Sequence, residues 1–253
     1  MNKKTAGIIL KRQKIGEADK LLVVFTEELG KVTAMAKGIE RISSRRAGHL
    51  EPFMVSQLEL SKGKSNRYFI NEVKALNHFK SLRSNLKKTA LASYVCELVD
   101  RTLSLEEKNT DIFRLLKRTL SLIDATSDDY LINIVRSFEM HLFSLLGFQP
   151  ELNVCLKCRT KDLPQNVYFS PSEGGIICLN CHAYDKNTTK VSRTSINTLK
   201  LLQNHSLKAS KSINHKEIEK IGNLVNFYIQ FILEADLKSK KVIRKLKLAK
   251  TAL

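Results

Sequence analysis

Tryptophan is absent from these 253 residues, so any aromatic surface must be built from 11 phenylalanines and 6 tyrosines. No run of 18 apolar residues occurs, which leaves no candidate for a membrane-spanning helix. The opening Met1-Asn2-Lys3-Lys4 leads straight into a mixed segment and does not resemble a secretory signal. A chain kept in a reducing compartment holds its thiols free, so the cysteines are expected to be unbridged. Nucleotide motifs are missing too. Gly63-Lys64-Ser65 resembles the end of a phosphate loop, but the earlier glycine would fall at position 58, which is Leu58. That fragment also lies between two strand-like segments and reads as a basic hairpin turn. Gly174 and Gly175 lie inside the cysteine-bearing segment and make no dinucleotide fingerprint. Catalytic sets are equally thin. The six histidines, His49, His78, His141, His182, His205 and His215, are scattered, and no serine sits in a nucleophile-elbow pattern. His141, on an apolar helical stretch, suits a hydrogen-bonded core histidine better than a general base. The expectation is a protein that is not an enzyme.

Acidic residues are in short supply: 25 Asp and Glu against 43 Lys and Arg, a net charge of +18. The excess is not spread evenly. Residues 1–80 carry +8, 81–150 are neutral, 151–190 carry +1 and 191–253 carry +9. Two basic ends around a neutral middle suggest a polyanionic partner, nucleic acid first and an anionic membrane surface second.

The most specific pattern is a pair of C-x-x-C motifs, Cys155 with Cys158 and Cys178 with Cys181, separated by 19 residues. That spacing is read as a zinc site. Each motif puts two thiolates on one tight knuckle, and two facing knuckles give the four-sulfur tetrahedral shell that Zn²⁺ accepts. With four sulfur ligands no position is left for water, so the site is structural and metal binding becomes part of the folding free energy. A thioredoxin-like redox pair needs one such motif, not two. Cys178 to His182 also matches the c-type haem attachment pattern, which leaves the first pair unexplained. His182 is then an exposed neighbour, or less often a ligand in place of a cysteine. Cys96 falls within a helical stretch as a small buried hydrophobe.

Residues 6–10, 20–26, 31–36, 53–60 and 67–75 read as five short strands with turn signals between them. That number suits a small barrel, typically the OB-fold, which binds oligonucleotides on one face and in its loops. From residue 81 the pattern turns helical. One helix spans 82–103, with Leu82, Leu86, Ala90, Leu91, Val95, Leu98 and Val99 near helical spacing. A second covers 112–123. A third starts at Ser127 with an acidic first turn and stops at Gly147. Beyond the cysteines, Ser192 or Thr194 caps a helix to about 203, and Asn214 to Glu217 resembles a capping box opening a longer one. The fold class expected is α+β: a five-stranded OB barrel over 1–80, then a helical domain over 81–253 with a zinc module at 151–190.

Lys37, Arg41, Arg45 and Arg46 crowd one barrel loop; Lys62, Lys64 and Arg67 crowd another. Cations there neutralise phosphates, giving salt-dependent affinity without sequence preference. Phe25 and Phe53 are expected in the barrel core. Tyr68 and Phe69 are adjacent on a strand, so one faces in and the other out, where it can stack a base. The lysines of 238–247 offer either a second strand-tracking surface or a solvated helix face.

Together these motifs resemble the bacterial RecO recombination-mediator family. Residues 36–53 are similar to its Lys-Gly, Ser-Arg and Pro-Phe loop. Residues 138–150, the cysteine module with Tyr168 to Gly175 between its pairs, and the closing 237–246 carry the rest. Arg159 departs from the pattern: the family often has glycine after the second cysteine. The resemblance implies an OB domain, a helical domain with an inserted zinc ribbon, and binding to single- and double-stranded DNA. It implies annealing of complementary strands and help in loading RecA onto strands coated with single-strand-binding protein. It further implies partnership with RecR and with the acidic C-terminal tail of single-strand-binding protein, and a cytoplasmic, nucleoid-associated location. The competing readings are an RNA- or ribosome-associated zinc-ribbon protein and a zinc-dependent hydrolase. The neutral middle argues mildly against the first, and four thiolates leave the second no open coordination position.

Overall fold

The computed structural model describes residues 2–40, 47–63, 67–183, 185, 187–235 and 237–245. They form two compact units, Met1–Ala125 and Thr126–Leu253. Among the described residues no helix is long and apolar enough to cross a membrane.

The first unit is built on a closed barrel. Strand β1 (Asn2–Ile15) pairs antiparallel with β2 (Asp19–Thr26) along one side and β4 (Val55–Lys62) along the other. Strand β3 (Gly30–Ala36) follows β2 through a tight turn, and β5 (Tyr68–Asn77) follows β4. A short parallel contact between β3 and β5 closes the order β1-β2-β3-β5-β4. That is the five-stranded OB barrel the alternating segments predict. On β4, Leu58 and Leu60 turn inward and Gln57 and Glu59 outward, the period-2 pattern of a half-buried strand. Ile9, Leu22, Val24, Val32, Ala34, Tyr68 and Ile70 join them in the core. β1 is longer than its apolar stretch suggests. Its ends are held by backbone pairing rather than burial, and a register shift between Ile9 and Lys11 bends it to serve two neighbours. Phe53, with φ 71, lies in the turn before β4 and donates its N–H to Ile9 O at 2.8 Å.

The helix expected over 82–103 is two helices. α1 (Lys80–Ser84) ends and α2 (Leu86–Thr102) begins at Asn85, whose backbone is extended. Its side chain accepts from Lys88 N at 3.1 Å, and its own N–H donates to Ser81 O. Asparagine makes this N-cap readily, and the new start changes the phase. Leu86, expected on the apolar face, is 63% exposed. α3 (Thr110–Ala125) packs on α1 and α2, with Lys88 Nζ binding Ser81 Oγ and Asp124 O. Phe25 of the barrel meets Phe113 of α3 edge-on at 5.7 Å.

In the second unit, Ser127 precedes a 3₁₀ turn, Asp128–Tyr130, rather than capping the helix directly. α4 (Leu131–Leu145) is buried from Leu131 to Met140, polar residues included. It ends as its glycine signals. Gly147 has φ 81; its N–H donates to Ser144 O, and the N–H of Phe148 donates to Phe143 O. That is a Schellman motif. A three-stranded antiparallel sheet follows, with β6 (Asn166–Ser170) between β7 (Gly175–Ile177) and β8 (Thr189–Ser192). The short helix α5 (Leu179–His182) intervenes. Ser192 caps α6 (Arg193–Asn204) through the N–H of Ser195. Asn214 caps α7 (His215–Leu233) through the N–H of Lys216, but the expected capping box does not form: Glu217 N donates to Asn214 O and the Glu217 carboxylate pairs with Lys220. α8 (Lys238–Lys245) closes the described chain. Tyr228 of α7 stands edge-on to Phe143 and Phe169, 5.2 Å from each, and its hydroxyl donates to Phe148 O. These contacts seat the sheet against α4 and α7.

Candidate metal centre and nucleic-acid interface

Each cysteine pair sits at a knuckle fixed by backbone hydrogen bonds. In the first, Cys155 N donates to Thr160 O and Arg159 N donates to Cys155 O at 2.8 Å. The turn is completed by Arg159 at φ 61, a left-handed conformation that favours glycine. The departure noted in the sequence therefore falls where the backbone asks for a residue without Cβ. In the second, Cys178 precedes α5, and its carbonyl accepts from the N–H groups of Cys181 and His182. The β6–β7 hairpin brings the knuckles together. Gly175 lets Glu151 lie against the hairpin: a Cβ there would stand 2.3 Å from Glu151 O. Leu156 N donates to Ile176 O and ties the first knuckle to the same hairpin.

The result is a cluster of four sulfurs, Cys155, Cys158, Cys178 and Cys181, all within 4.8 Å of one another, which could hold a metal ion. Tetrahedral Zn–S bonds of about 2.3 Å put sulfurs about 3.8 Å apart, and Cys158 Sγ lies 3.7 Å from Cys178 Sγ. The donor set therefore fits a thiolate-binding ion. The electrostatics point the same way. Burial acts against the Cys155 thiolate, but the N–H groups of Cys158, Cys178 and Lys157 outweigh it and bring that thiol down to about 6. Contact with Cys178 and the other two sulfurs pushes Cys181 up to about 12. Four thiolates repel one another, and a central cation relieves that repulsion. His182 stacks on Tyr168 at 3.7 Å, nearly parallel, and is no part of the sulfur cluster. Cys96 is buried, which drives its thiol strongly upward and leaves it inert. His141 is partly buried and hydrogen-bonded through Nδ1 to Ser137 O at 2.7 Å.

Of the seven barrel cations singled out, Arg41, Arg45, Arg46 and Lys64 lie outside the described residues. Lys62 and Arg67 flank the β4–β5 turn, where Gly63 N donates to Arg67 O. Lys37 follows β3, and its ammonium stands 5.2 Å over the Phe69 ring. Tyr68 is buried in the core and Phe69 is half-exposed, so Phe69 is the outward member of the pair. Lys62 Nζ lies 5.5 Å from the Tyr68 ring and 2.8 Å from Glu106 of the α2–α3 connection. Sequence reasoning did not place Glu106, Lys3 or Lys108 near these residues. They come from two distant segments, the start of β1 and the α2–α3 connection, and no local pattern marks them.

Barrel, helices and four-thiol ribbon define a protein of two units, one built on an OB barrel and the other carrying four cysteines that could hold a metal ion. The comparisons narrow that class. Residues 1–79 match the family described as Recombination protein O N terminal, and residues 83–241 match Recombination protein O C terminal. The chain belongs to the RecO family. It is 34% identical to the "DNA repair protein RecO" of Dehalococcoides mccartyi over 93% of its own length and 92% of that protein's. The protein of that name from Caldanaerobacter subterraneus is 32% identical over 96% and 98%, and that from Alkaliphilus metalliredigens 35% over 93% and 90%.

Proposed function

We propose that this chain is a non-enzymatic recombination mediator in DNA repair. It binds single- and double-stranded DNA, anneals complementary strands and assists the loading of RecA onto DNA coated with single-strand-binding protein. The observation that carries this reading is the match over nearly the whole chain to proteins named for DNA repair, on a chain whose first unit is a closed OB barrel. The barrel region, 1–80, is the main nucleic-acid surface. Lys37, Arg41, Arg45, Arg46, Lys62, Lys64 and Arg67 contact phosphates, and Phe69 stacks a base. Annealing brings two polyanions together, and a chain of net charge +18 lowers the repulsion between them. Pairing itself supplies the free energy, so no nucleotide hydrolysis is needed.

Cys155, Cys158, Cys178 and Cys181 hold one Zn²⁺ within the module at 151–190 of the helical domain. That ion supplies a rigid cross-link between the knuckles and leaves no coordination position for a substrate. RecR and the acidic tail of single-strand-binding protein are the protein partners, and the location is cytoplasmic, at the nucleoid. The test is strand annealing without ATP, with and without single-strand-binding protein. Acceleration of duplex formation in both conditions supports the reading. A chain that leaves the annealing rate unchanged overturns it. Glutamate in place of Arg45 and Arg46 should weaken DNA binding and flatten its salt dependence.

A further inference from the structure

A groove of about 450 Å³ opens at one end of the barrel, among Lys3, Lys62, Lys108, Tyr68, Glu28 and Glu106. Three cations around an open groove, with the edge of the core residue Tyr68 in its lining, make a site for a phosphate. Here carboxylates stand where the phosphate oxygens would. Glu106 Oε1 accepts from Lys62 Nζ at 2.8 Å and Glu28 Oε2 from Lys108 Nζ at 2.9 Å. The Glu106 contact is built rather than incidental. Its backbone is left-handed at φ 59, a conformation a glutamate holds only under restraint. The restraint is visible: Glu106 N donates to Lys31 O at 2.7 Å, and Leu105 pairs with Lys31 as an added rung on the β3 edge. The Lys62 hydrogen bond holds the Glu106 carboxyl below its usual range, with Lys3 adding a smaller attraction, and Glu106 in turn raises Lys62. The pair therefore stays ionised at neutral pH.

We propose that this groove is a phosphate subsite for single-stranded nucleic acid and that Glu106 occupies it as an internal phosphate mimic, so that binding requires a backbone phosphate to displace the carboxylate from Lys62. The inference rests on the barrel being the nucleic-acid surface, and it adds the cations Lys3 and Lys108 and a built-in competitor. The competitor sets a threshold: weakly held strands do not enter, and a strand held elsewhere on the barrel does.

The experiment titrates the full-length chain with a labelled oligothymidylate at low salt. An exposed ion pair of this kind is worth a modest factor, so E106Q should bind about two- to fivefold more tightly than the wild type. E106G, which also suits the left-handed backbone, should match it and guards against a local folding fault in E106Q. Glu72, exposed on β5 opposite Glu59, supplies the control, because E72Q makes the same change in net charge. In a K62Q background the E106Q gain should vanish. The proposal is overturned if E106Q and E106G gain no more than E72Q, or if their gain survives without Lys62. Wild-type binding without an E106Q gain defeats this inference alone. A wild-type chain that ignores the oligonucleotide defeats it together with the proposed function.

Discussion

Replacing Arg159 with glycine should tighten the metal centre. Arg159 completes the first knuckle at φ 61 and donates to Cys155 O at 2.8 Å. A side-chain-bearing residue there costs about 1–2 kcal/mol relative to the right-handed region. Glycine escapes that cost but loses about 0.5–1 kcal/mol through its freer unfolded state. The net gain is about 0.5–1 kcal/mol, or about two- to fivefold in the metal dissociation constant. One effect opposes it: Arg159 is exposed beside four sulfurs, and its charge favours thiolates. Alanine separates the two, since R159A removes the same charge but keeps Cβ. The expected order of metal affinity is R159G above wild type and R159A at or below it. Anaerobic competition with a chromogenic chelator reads the affinities, and thermal melting of the metal-loaded chains should rank them alike. Equal affinities for R159G and R159A would show that the backbone conformation is not what limits the site, and the reasoning would fail.

Two further predictions concern buried and exposed charge. Arg136 and Glu139 are both fully buried and hydrogen-bonded at 2.7 and 2.9 Å, while Nε and Nη2 of Arg136 have no partner among the described residues. R136M alone should lose about 3–5 kcal/mol of stability by taking the cationic partner from a buried carboxylate, whereas R136M with E139M should recover most of it in denaturant melts; a double variant as unstable as the single one contradicts this. Glutamine at Lys37, Lys62 and Arg67 together should reduce the slope of log affinity against log salt by about 2 on single strands, and an unchanged slope means these three cations make no phosphate contacts.

What was legible in the sequence follows physical range. The cysteine spacing is a local signal, and it picked out the four sulfurs that the fold brings together. Alternation on β4 and the turn residues between strands gave the barrel, because each strand carries its own period. Gly147 gave the end of α4 for the same local reason. Asn85 shows where local signals compete. The apolar positions of 82–103 run near a helical period, yet one asparagine offers a cap that splits the helix and turns Leu86 outward. The polar residues of α4 show the opposite case: no local signal marks Asn133, Arg136 and Glu139 for burial, yet all three are buried, Arg136 and Glu139 as a pair on the same helix and Asn133 against a distant segment. Asn133, for example, donates to Ser210 O and Ile213 O, some eighty residues away. The groove was invisible for the same reason, since Lys3, Glu28 and Glu106 meet only after the barrel has closed.

The two units differ in what holds their functional parts, and metal removal should expose the difference. The barrel closes around a dozen buried side chains, from Ile9 to Ile70. The cluster at the knuckles contains Cys155, Ile177 and Cys178, with Leu163, Tyr168 and Cys181 partly covered. Its one fully buried aliphatic side chain contributes about 1.5–3 kcal/mol, while ordering each knuckle residue costs about 1–2 kcal/mol of backbone entropy. The proposed metal would supply the balance, as in thiolate modules that fold only when loaded. A strong chelator at neutral pH, or C155S, should therefore abolish amide-exchange protection across 155–181 and destabilise the helical domain, while β1 to β5 keep their protection and oligonucleotide binding persists. Protection that survives in the knuckles without metal would mean that the ribbon stands by its packing alone. Protection lost from the barrel at the same chelator concentration would mean that the two units unfold as one.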